Sequence, residues 1–170
     1  MGLAVHVLTG STEDNNGNRN REGAGQVIQI VSNTQIYQPI KRVFDFISTP
    51  ENDFQWQYGT LASTRVSENP DGLGSCFQTI GNFMGHRIKS TYEVTEYEPN
   101  SKYGFKSLSG PLHSFTSYTF NIAKGCTQVK LSMQATVVNL IEFNENIIEK
   151  KMKRQFKDNL TMLKNILETG

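Results

Sequence analysis

The stretch that decides the fold is residues 139–168, which read NLIEFNENIIEKKMKRQFKDNLTMLKNILE. Lysine and arginine cluster between residues 150 and 157, on the faces that the apolar residues leave free. The helical spacing of the apolar residues predicts a long helix from about Asn139 to Glu168, with one buried side and one solvated side. The apolar stripe consists of Ile141, Ile148, Met152, Phe156, Leu160, Leu163 and Leu167.

Six segments typical of β-strands precede this helix, and turn signals separate them. Residues 69–72 (NPDG) mark one turn, because proline presets φ and glycine accepts a positive φ. Because no helical segment lies between the six, parallel crossovers are excluded and the strands must pair antiparallel. The predicted strands are residues 58–67, 75–80, 87–97, 103–109, 115–123 and 127–137, and glycine-containing turns are also predicted at 81–85, 110–111 and 124–125.

One more strand and two short helices come before these six segments. Residues 28–36 alternate between apolar and mostly polar side chains, which predicts a strand with one buried face. Apolar residues at helical spacing within residues 40–47 predict a first short helix. Thr49, Pro50 and Glu51 predict a second one, with Thr49 as its N-cap and the proline in its first turn.

The sizes of the sheet and of the helix constrain how they pack. Seven strands spaced about 4.8 Å apart span roughly 30 Å, whereas one helix with its side chains is only about 10–12 Å wide. A single helix therefore covers the sheet only if the sheet curves around it. Such a sheet leaves space beside the helix, and the two short helices close one end of that space. In the alternative arrangement, large side chains fill the space and leave an ordinary core.

Composition limits the classes of function. The 170 residues suit a single domain, and 17 Lys plus Arg against 16 Asp plus Glu give no reason to expect nucleic acid as a partner. Residues 9–26 are almost devoid of apolar side chains, so we expect a flexible tail over 1–25 and a folded domain over 26–168. No apolar run suggests stable membrane insertion and no signal peptide is apparent, which favours a cytoplasmic protein. Cys76 and Cys126 form no metal-binding pattern, and we expect two thiols, with a disulfide between them as the alternative.

Several short motifs follow one another in a familiar order. They are residues 39–47 (PIKRVFDFI), 50–52 (PEN) with Trp56 shortly after, 72–77 (GLGSCF), 92–99 (YEVTEYEP) and 118–120 (YTF). Their order resembles that of the polyketide cyclase/dehydrase-like branch of the START/Bet v 1 superfamily, and the resemblance spans nearly everything from Gln26 to Glu168. It implies an α+β helix-grip fold, in which a curved antiparallel sheet of about seven strands wraps around a long C-terminal helix.

The resemblance also implies a cavity for a hydrophobic ligand. Relatives bind lipids, polyketides, hormones or quinones, and some cyclise or dehydrate polyketides. Strand parity places Tyr92 and Tyr118 inward, where their hydroxyls can meet a ligand carbonyl. Met152 suits an adaptable apolar wall because its side chain is flexible and polarizable. We expect the ligand-binding residues to be Trp56, Phe77, Tyr92, Phe105, Tyr118, Phe120, Met152 and Phe156.

Catalytic residues are not identifiable from the sequence, and neither a cofactor nor a metal site is expected. His86 adjoins a predicted turn and is expected at the surface. His113 follows a Gly-Pro turn near one possible rim of the cavity, with no paired acid in view. Tyr103 and Thr91 are further hydroxyl-bearing candidates for ligand contact, and Cys76 has no neighbouring base that would make it a nucleophile.

Three functions stay open at this point. The first is noncatalytic binding or carriage of a small hydrophobic molecule between sheet and helix. The second is a cyclase or dehydratase, which requires several polar side chains to converge in the pocket and at least one strongly shifted pKa. The third is a protein-interaction or co-chaperone module, which requires an exposed apolar patch and a filled core. The oligomeric state and the identity of the ligand stay open as well.

Overall fold

The computed structural model describes residues 26–137 and 144–170. The predicted tail over 1–25 lies outside the described residues, and so do residues 139–143 of the predicted C-terminal helix, with Ile141. In chain order the elements are β1 (Ile28–Ile36), α1 (Ile40–Ile47), a 3₁₀ turn (Pro50–Asn52), α2 (Asp53–Trp56), β2 (Thr60–Ser67), β3 (Cys76–Phe83), β4 (His86–Glu98), β5 (Lys102–Ser109), β6 (Leu112–Ala123), β7 (Cys126–Val137) and α3 (Glu145–Thr169).

The seven strands form one antiparallel sheet in the order β1-β7-β6-β5-β4-β3-β2. Consecutive strands from β2 to β7 are hairpin neighbours, so β1 and β2 lie at opposite edges and α1 and α2 connect them. Irregularities in the pairing of β4 with β5, next to Tyr92 and Val94, bend the sheet. The curved sheet encloses α3, which confirms the predicted α+β helix-grip fold.

The concave face of the sheet and α3 share one hydrophobic core. Inward positions alternate along each strand, as the period of two requires. The predicted stripe of α3 is buried at Ile148, Met152, Leu160, Leu163 and Leu167, and Phe156 is partly buried. Near its first turns α3 packs on Ile28, Ile30, Met133 and Ala135 of the two strands at one edge. The apolar period of the C-terminal stretch therefore predicts the buried side of the helix correctly.

Polar contacts fix α3 along β1. Asn144 caps the helix by accepting a 2.9 Å hydrogen bond from the Asn146 backbone N–H, so α3 begins at Glu145, later than predicted. At the other end the Lys164 ammonium donates to the Gln35 carbonyl at 2.6 Å. The Glu168 carboxylate nearby accepts from the backbone N–H of Tyr37 at 2.8 Å. The contacts of Lys164 and Glu168 hold the C-terminal part of the helix against the end of β1.

Two local predictions are wrong. Thr49 stands at the predicted N-cap position but makes no capping bond, because its hydroxyl donates to the Asp45 carbonyl of the preceding helix at 2.7 Å. Strand β3 does not end at Ile80 but runs to Phe83, so Gly81 lies within a strand rather than in a turn. The turn itself is made by Met84 and Gly85, both with positive φ.

The first prediction concerns the contact between the helix and the sheet. Leu163 is fully buried against the core, so Leu163→Ala should lower the free energy of unfolding by about 2–5 kcal/mol. The neighbouring Met162 is 49% exposed, and Met162→Ala should change it by about 0.5 kcal/mol or less. Urea unfolding followed by circular dichroism measures both. Equal losses in the two variants would contradict the placement of the buried stripe.

Candidate functional site

A cleft of about 150 Å³ opens between the sheet and α3. Its wall is mainly apolar and comes from β3, β4, the start of β6, β7 and the helix. The polar side chains that reach it from the sheet include Thr79, Ser90 and Tyr92. It continues into an open groove of about 770 Å³ bordered by the β3–β4 turn and α3. The apolar wall consists of Phe83, Ile88, Pro111, Leu112, Met133, Met152 and Phe156.

The mouth of the cleft depends on a close backbone approach. A Cβ atom on Gly81 would lie 2.6 Å from the Gly59 carbonyl oxygen, and one on Gly59 would lie 2.7 Å from the Asn82 carbonyl oxygen. Helix α3 fastens the same segment, because the Asn159 side chain accepts from the backbone N–H of Tyr58 at 2.8 Å. The Gln155 amide donates to the Tyr58 carbonyl at 2.7 Å. The loop before β2 is thereby held between the edge of the sheet and the helix.

Much of the remaining interior is filled by aromatic rings. Phe77 stacks on Tyr92 with ring centroids 5.2 Å apart, and Phe105 meets both rings edge-on. Tyr103 continues the cluster to Tyr118, with ring centroids 6.4 Å apart. Such offset and edge-on pairs are favourable beyond their burial. The expected alternative, in which large side chains fill the interior, therefore describes this part of the molecule.

The structure separates the eight predicted ligand-binding residues into three groups. Tyr92, Met152 and Phe156 line the cleft. Phe77 lines a different, more polar pocket of about 100 Å³ at the opposite end of the aromatic cluster. Four others belong to the packed core and line neither space: Trp56, Phe105, Tyr118 and Phe120. Ligand contact by any of the eight stays a prediction.

The other candidates lie away from the cleft. His86 is exposed at the start of β4, as expected. His113 is also exposed, and it borders a surface depression with Phe115, which shares its strand parity, rather than the cleft. Tyr103 is buried in the aromatic cluster. Thr91 bonds to the Gln78 side chain at 3.5 Å, and Cys76 and Cys126 are separate free thiols.

A row of hydroxyl side chains crosses the concave face beside the cleft. Ser63 on β2 pairs with Thr79 on β3, which in turn pairs with Ser90 on β4, so the three side chains lie in register on the same face. The Ser63 and Thr79 hydroxyls are 2.9 Å apart and hydrogen-bonded. We call these three residues the hydroxyl row.

Asp53 lies at one end of the hydroxyl row. Its side chain is buried, and its Oδ2 is hydrogen-bonded to the Ser63 hydroxyl at 3.1 Å. Burial raises the pKa of Asp53 to about 8, and the nearby Glu51 carboxylate adds to that rise, while hydrogen bonds from Ser63 and Gln57 oppose it. The carboxyl group is therefore mostly protonated at neutral pH. Burial also raises the pKa values of Tyr92, Tyr103 and Tyr118, with a further contribution from Asp53.

Sequence reasoning did not identify Asp53, Ser63 or Thr79. Parity offers a signal for two members of the site, because Thr79 follows the inward Phe77 by two residues and Ser90 precedes the inward Tyr92 by two. For Asp53 the signal is its position one helical turn before the buried Trp56. The indole N–H of Trp56 is itself buried and has no hydrogen-bond partner among the described residues.

A seven-stranded sheet closed around one long helix, with an apolar cleft between them, defines a helix-grip protein. The sequence model described as polyketide cyclase/dehydrase and lipid transport matches residues 28–168, so the chain belongs to that family. The fold and the family are those of proteins that bind hydrophobic ligands. No curated protein matches the chain.

Solved structures show the same fold at low sequence identity. A START superfamily protein from Mycobacterium smegmatis is 11% identical with a TM-score of 0.72, over 83% of this chain and 97% of that one. A protein from Thermus thermophilus is 16% identical with a TM-score of 0.70, over 81% and 94%. The Zhui aromatase/cyclase from Streptomyces sp. R1128 is 10% identical with a TM-score of 0.68, over 85% and 93%. At these identities the likeness is one of fold.

Neither a metal site nor a membrane span is found in the part of the chain that the structure describes. Over residues 26–137 and 144–170, no three His, Cys, Asp or Glu side chains cluster in a way that could hold a metal ion. Among the helices of the same residues, none is long and apolar enough to cross a membrane.

The second prediction concerns the pH dependence of stability. Because folding raises the pKa of Asp53 from 3.8 to about 8, the folded state holds a proton that the unfolded state loses between these values. Stability should therefore fall as pH rises through this window, by up to about 1.4 kcal/mol per pH unit. Asp53→Asn should remove this fall while keeping a neutral side chain of the same shape.

Urea unfolding at pH 5.5, 6.5 and 7.5 measures the effect as the difference between the wild-type protein and Asp53→Asn. Every other titratable group is present in both proteins, so its contribution cancels in the difference. Parallel pH profiles for the two proteins would contradict the assignment of a buried, protonated carboxyl group.

Proposed function

We propose that this protein binds or carries a small hydrophobic molecule in the cleft between the sheet and α3. The observation that carries the proposal is the mainly apolar wall of that cleft, to which Met133, Met152 and Phe156 contribute. A concave, mostly apolar space with a small number of placed polar groups is the usual form of a small-molecule site. Membership of a family described by lipid transport supports the same conclusion.

The size of the cleft limits what it holds. A closed apolar cavity of about 150 Å³ accommodates a molecule such as benzene, so the cleft of this size fits a single ring. A longer ligand would extend past Tyr58 and Met84 into the adjoining groove. The two methionines on the wall have flexible side chains, which allow some adjustment to ligand shape. We therefore propose an aromatic or similarly compact apolar ligand.

The remaining features are consistent with a small-molecule protein in a reducing compartment. Two free thiols, Cys76 and Cys126, fit the cytoplasm, which is the location that we propose. A formal net charge of +1 supports a partner other than nucleic acid. On the outer face, apolar side chains such as Val31, Ile80 and Phe115 are exposed on different strands. This scatter gives less support to an interaction module than the cleft gives to a ligand site.

The third prediction tests the cleft with a purely apolar probe, α-methylstyrene. Ile88 is on the wall, and Ile88→Trp should fill the space and reduce binding at least tenfold. The control is Ile80→Trp, the same change on the opposite face of the neighbouring strand, where Ile80 is 39% exposed. It should leave binding unchanged.

Saturation-transfer NMR with the probe and each protein measures this difference. Equal binding by the two variants would place the probe outside the cleft. If the wild-type protein fails to bind the probe and native mass spectrometry shows no bound molecule lost on denaturation, the carrier function is wrong. The interaction module then becomes the better explanation.

A second candidate function, a cyclase or dehydratase acting on a polyketide-like substrate, is supported by Asp53 and the hydroxyl row. Polar groups converge beside the cleft, and Asp53 has the strongly raised pKa that acid–base chemistry requires. Because Asp53 does not line the cleft, its proton would reach a substrate through Ser63 and Thr79. In a dehydration the Asp53 proton would leave with the β-hydroxyl group as water, the α-proton would return along the same hydroxyl groups to the Asp53 carboxylate, and a C=C bond would form.

The fourth prediction tests this candidate with the β-hydroxy ketone formed from acetone and benzaldehyde. A dehydratase would convert it into benzalacetone and water, which is followed by the ultraviolet absorbance of the conjugated product. Asp53→Asn should slow any such turnover at least tenfold, because it removes the transferable proton. A wild-type rate equal to that of Asp53→Asn would exclude this role for Asp53.

A further inference from the structure

We propose that the cleft has a polar end at the Thr79 hydroxyl, which hydrogen-bonds a carbonyl oxygen of the ligand and is oriented by Asp53 through Ser63. The ligand class is then an aromatic or compact apolar molecule with a ketone or similar carbonyl group. This inference rests on the proposed function, since it describes how the same cleft selects its ligand.

The geometry connects a buried acid to the wall of the cleft. Asp53 Oδ2 and the Ser63 hydroxyl are 3.1 Å apart, and the Ser63 and Thr79 hydroxyls are 2.9 Å apart. Both distances are within hydrogen-bonding range. Asp53 and Ser63 do not line the cleft, whereas Thr79 does. The chain of hydrogen bonds therefore begins in the protein interior and ends at the ligand space.

In this chain of hydrogen bonds, Thr79 is the residue whose hydroxyl can form a further hydrogen bond. Among residues 26–137 and 144–170, Ser63 is the hydrogen-bond partner recorded for its hydroxyl. A hydroxyl group can donate one hydrogen bond and accept two, so a position at Thr79 remains for a ligand. Ser90 and Tyr92 line the cleft from β4, and Ser90 lies close enough to the Tyr92 hydroxyl to oppose the rise in its pKa that burial causes. Because Ser90 and Tyr92 lie against each other, they compete less than Thr79 for a hydrogen bond with a ligand oxygen.

The direction of the chain depends on the proton of Asp53. When the carboxyl group is neutral, it can donate to Ser63, which donates to Thr79, and the Thr79 proton is free to point into the cleft. When the carboxylate is ionised, it can only accept, so Ser63 must donate to it and Thr79 must donate to Ser63. Thr79 then offers only acceptor sites to the cleft. A ligand carbonyl, which needs a donor, therefore selects the neutral form.

The surroundings of Asp53 favour that neutral form. Its neighbours with titratable side chains are Glu51 on the preceding turn and, across the core, Tyr92, Tyr103 and Tyr118. The cation on the adjacent strand, Arg65, is engaged with the carboxylates of Glu51 and Glu68. Within the part of the chain that the structure describes, no cation therefore stabilises an ionised Asp53.

The fifth prediction uses a matched pair of probes, acetophenone and α-methylstyrene, which have nearly the same shape and differ in a C=O or C=CH₂ group. At pH 6 the wild-type protein should bind the ketone roughly tenfold more tightly, relative to the partition of each probe between water and alkane. Thr79→Val preserves the shape of the side chain and removes the hydroxyl. It should abolish the preference for the ketone, so that the two probes bind equally tightly relative to their partition.

Titration with pH separates the role of Asp53 from that of Thr79. Between pH 6 and pH 9 the ketone preference of the wild-type protein should decline as Asp53 ionises, and alkene binding should not. The ketone preference should not change with pH in Ser63→Ala, because this variant interrupts the chain of hydrogen bonds. It should not change in Asp53→Asn either, because asparagine cannot ionise.

The outcomes distinguish this inference from the proposed function. If neither probe binds to the wild-type protein, the proposed function fails and this inference fails with it. If both bind, with no ketone preference or with the same preference in Thr79→Val, the cleft is a ligand site without the polar end proposed here. A ketone preference that declines equally with pH in Asp53→Asn would overturn the role of the buried acid.

Discussion

The rest of the structure depends on one geometric constraint, which is that a single helix must occupy the concave face of a seven-stranded sheet. Helix α3 is held on β1 by its apolar stripe and by polar contacts at both ends, of Glu145 with the Gln26 backbone N–H and of Lys164 with the Gln35 carbonyl. Because the helix lies near the β1 edge, the strands at the far edge, β2 to β4, have to be covered by something else. Helix α2 and a cluster of aromatic rings cover them.

The aromatic cluster explains why the interior contains a modest cleft rather than a large cavity. Phe77, Tyr92 and Phe105 contact one another through rings whose centroids lie 5.2–5.4 Å apart. They fill the space beside α2, and the remaining space lies next to the first half of α3, bounded by Met152 and Phe156. Tyr92 belongs to both regions, since one part of its ring packs in the cluster and it also borders the cleft. The concave face of the sheet therefore both packs the aromatic cluster and lines the cleft.

The sequence predicts the architecture well because the architecture depends on periodic features. The stripe of α3 and the alternation in strands such as β1 are regular, and the absence of helices between strands forces antiparallel pairing. The site is predicted less well, because it depends on side chains brought together from distant segments. Rotamers and packing decide that Tyr92 borders open space and Phe105 does not, and the periodicity of the sequence does not predict them.

The contacts of polar side chains are also difficult to predict from the sequence. Asp53 lies on a four-residue helix, where no pattern indicates that its carboxyl group is buried against Ser63 of the next strand. Thr49 has the residue type of an N-cap, yet its hydroxyl bonds backward to Asp45 because the preceding helix ends close by. In both cases the local sequence allows several arrangements, and the tertiary contacts select one.

The central claim is that an apolar ligand occupies the cleft between the sheet and α3. The most direct measurement is an intermolecular nuclear Overhauser experiment on protein with labelled isoleucine and methionine methyl groups, saturated with α-methylstyrene. A probe bound in the cleft should show contacts to the methyl groups of Ile88, Met133 and Met152, which line it. Contacts confined to exposed residues such as Ile80 and Ile122 would contradict it.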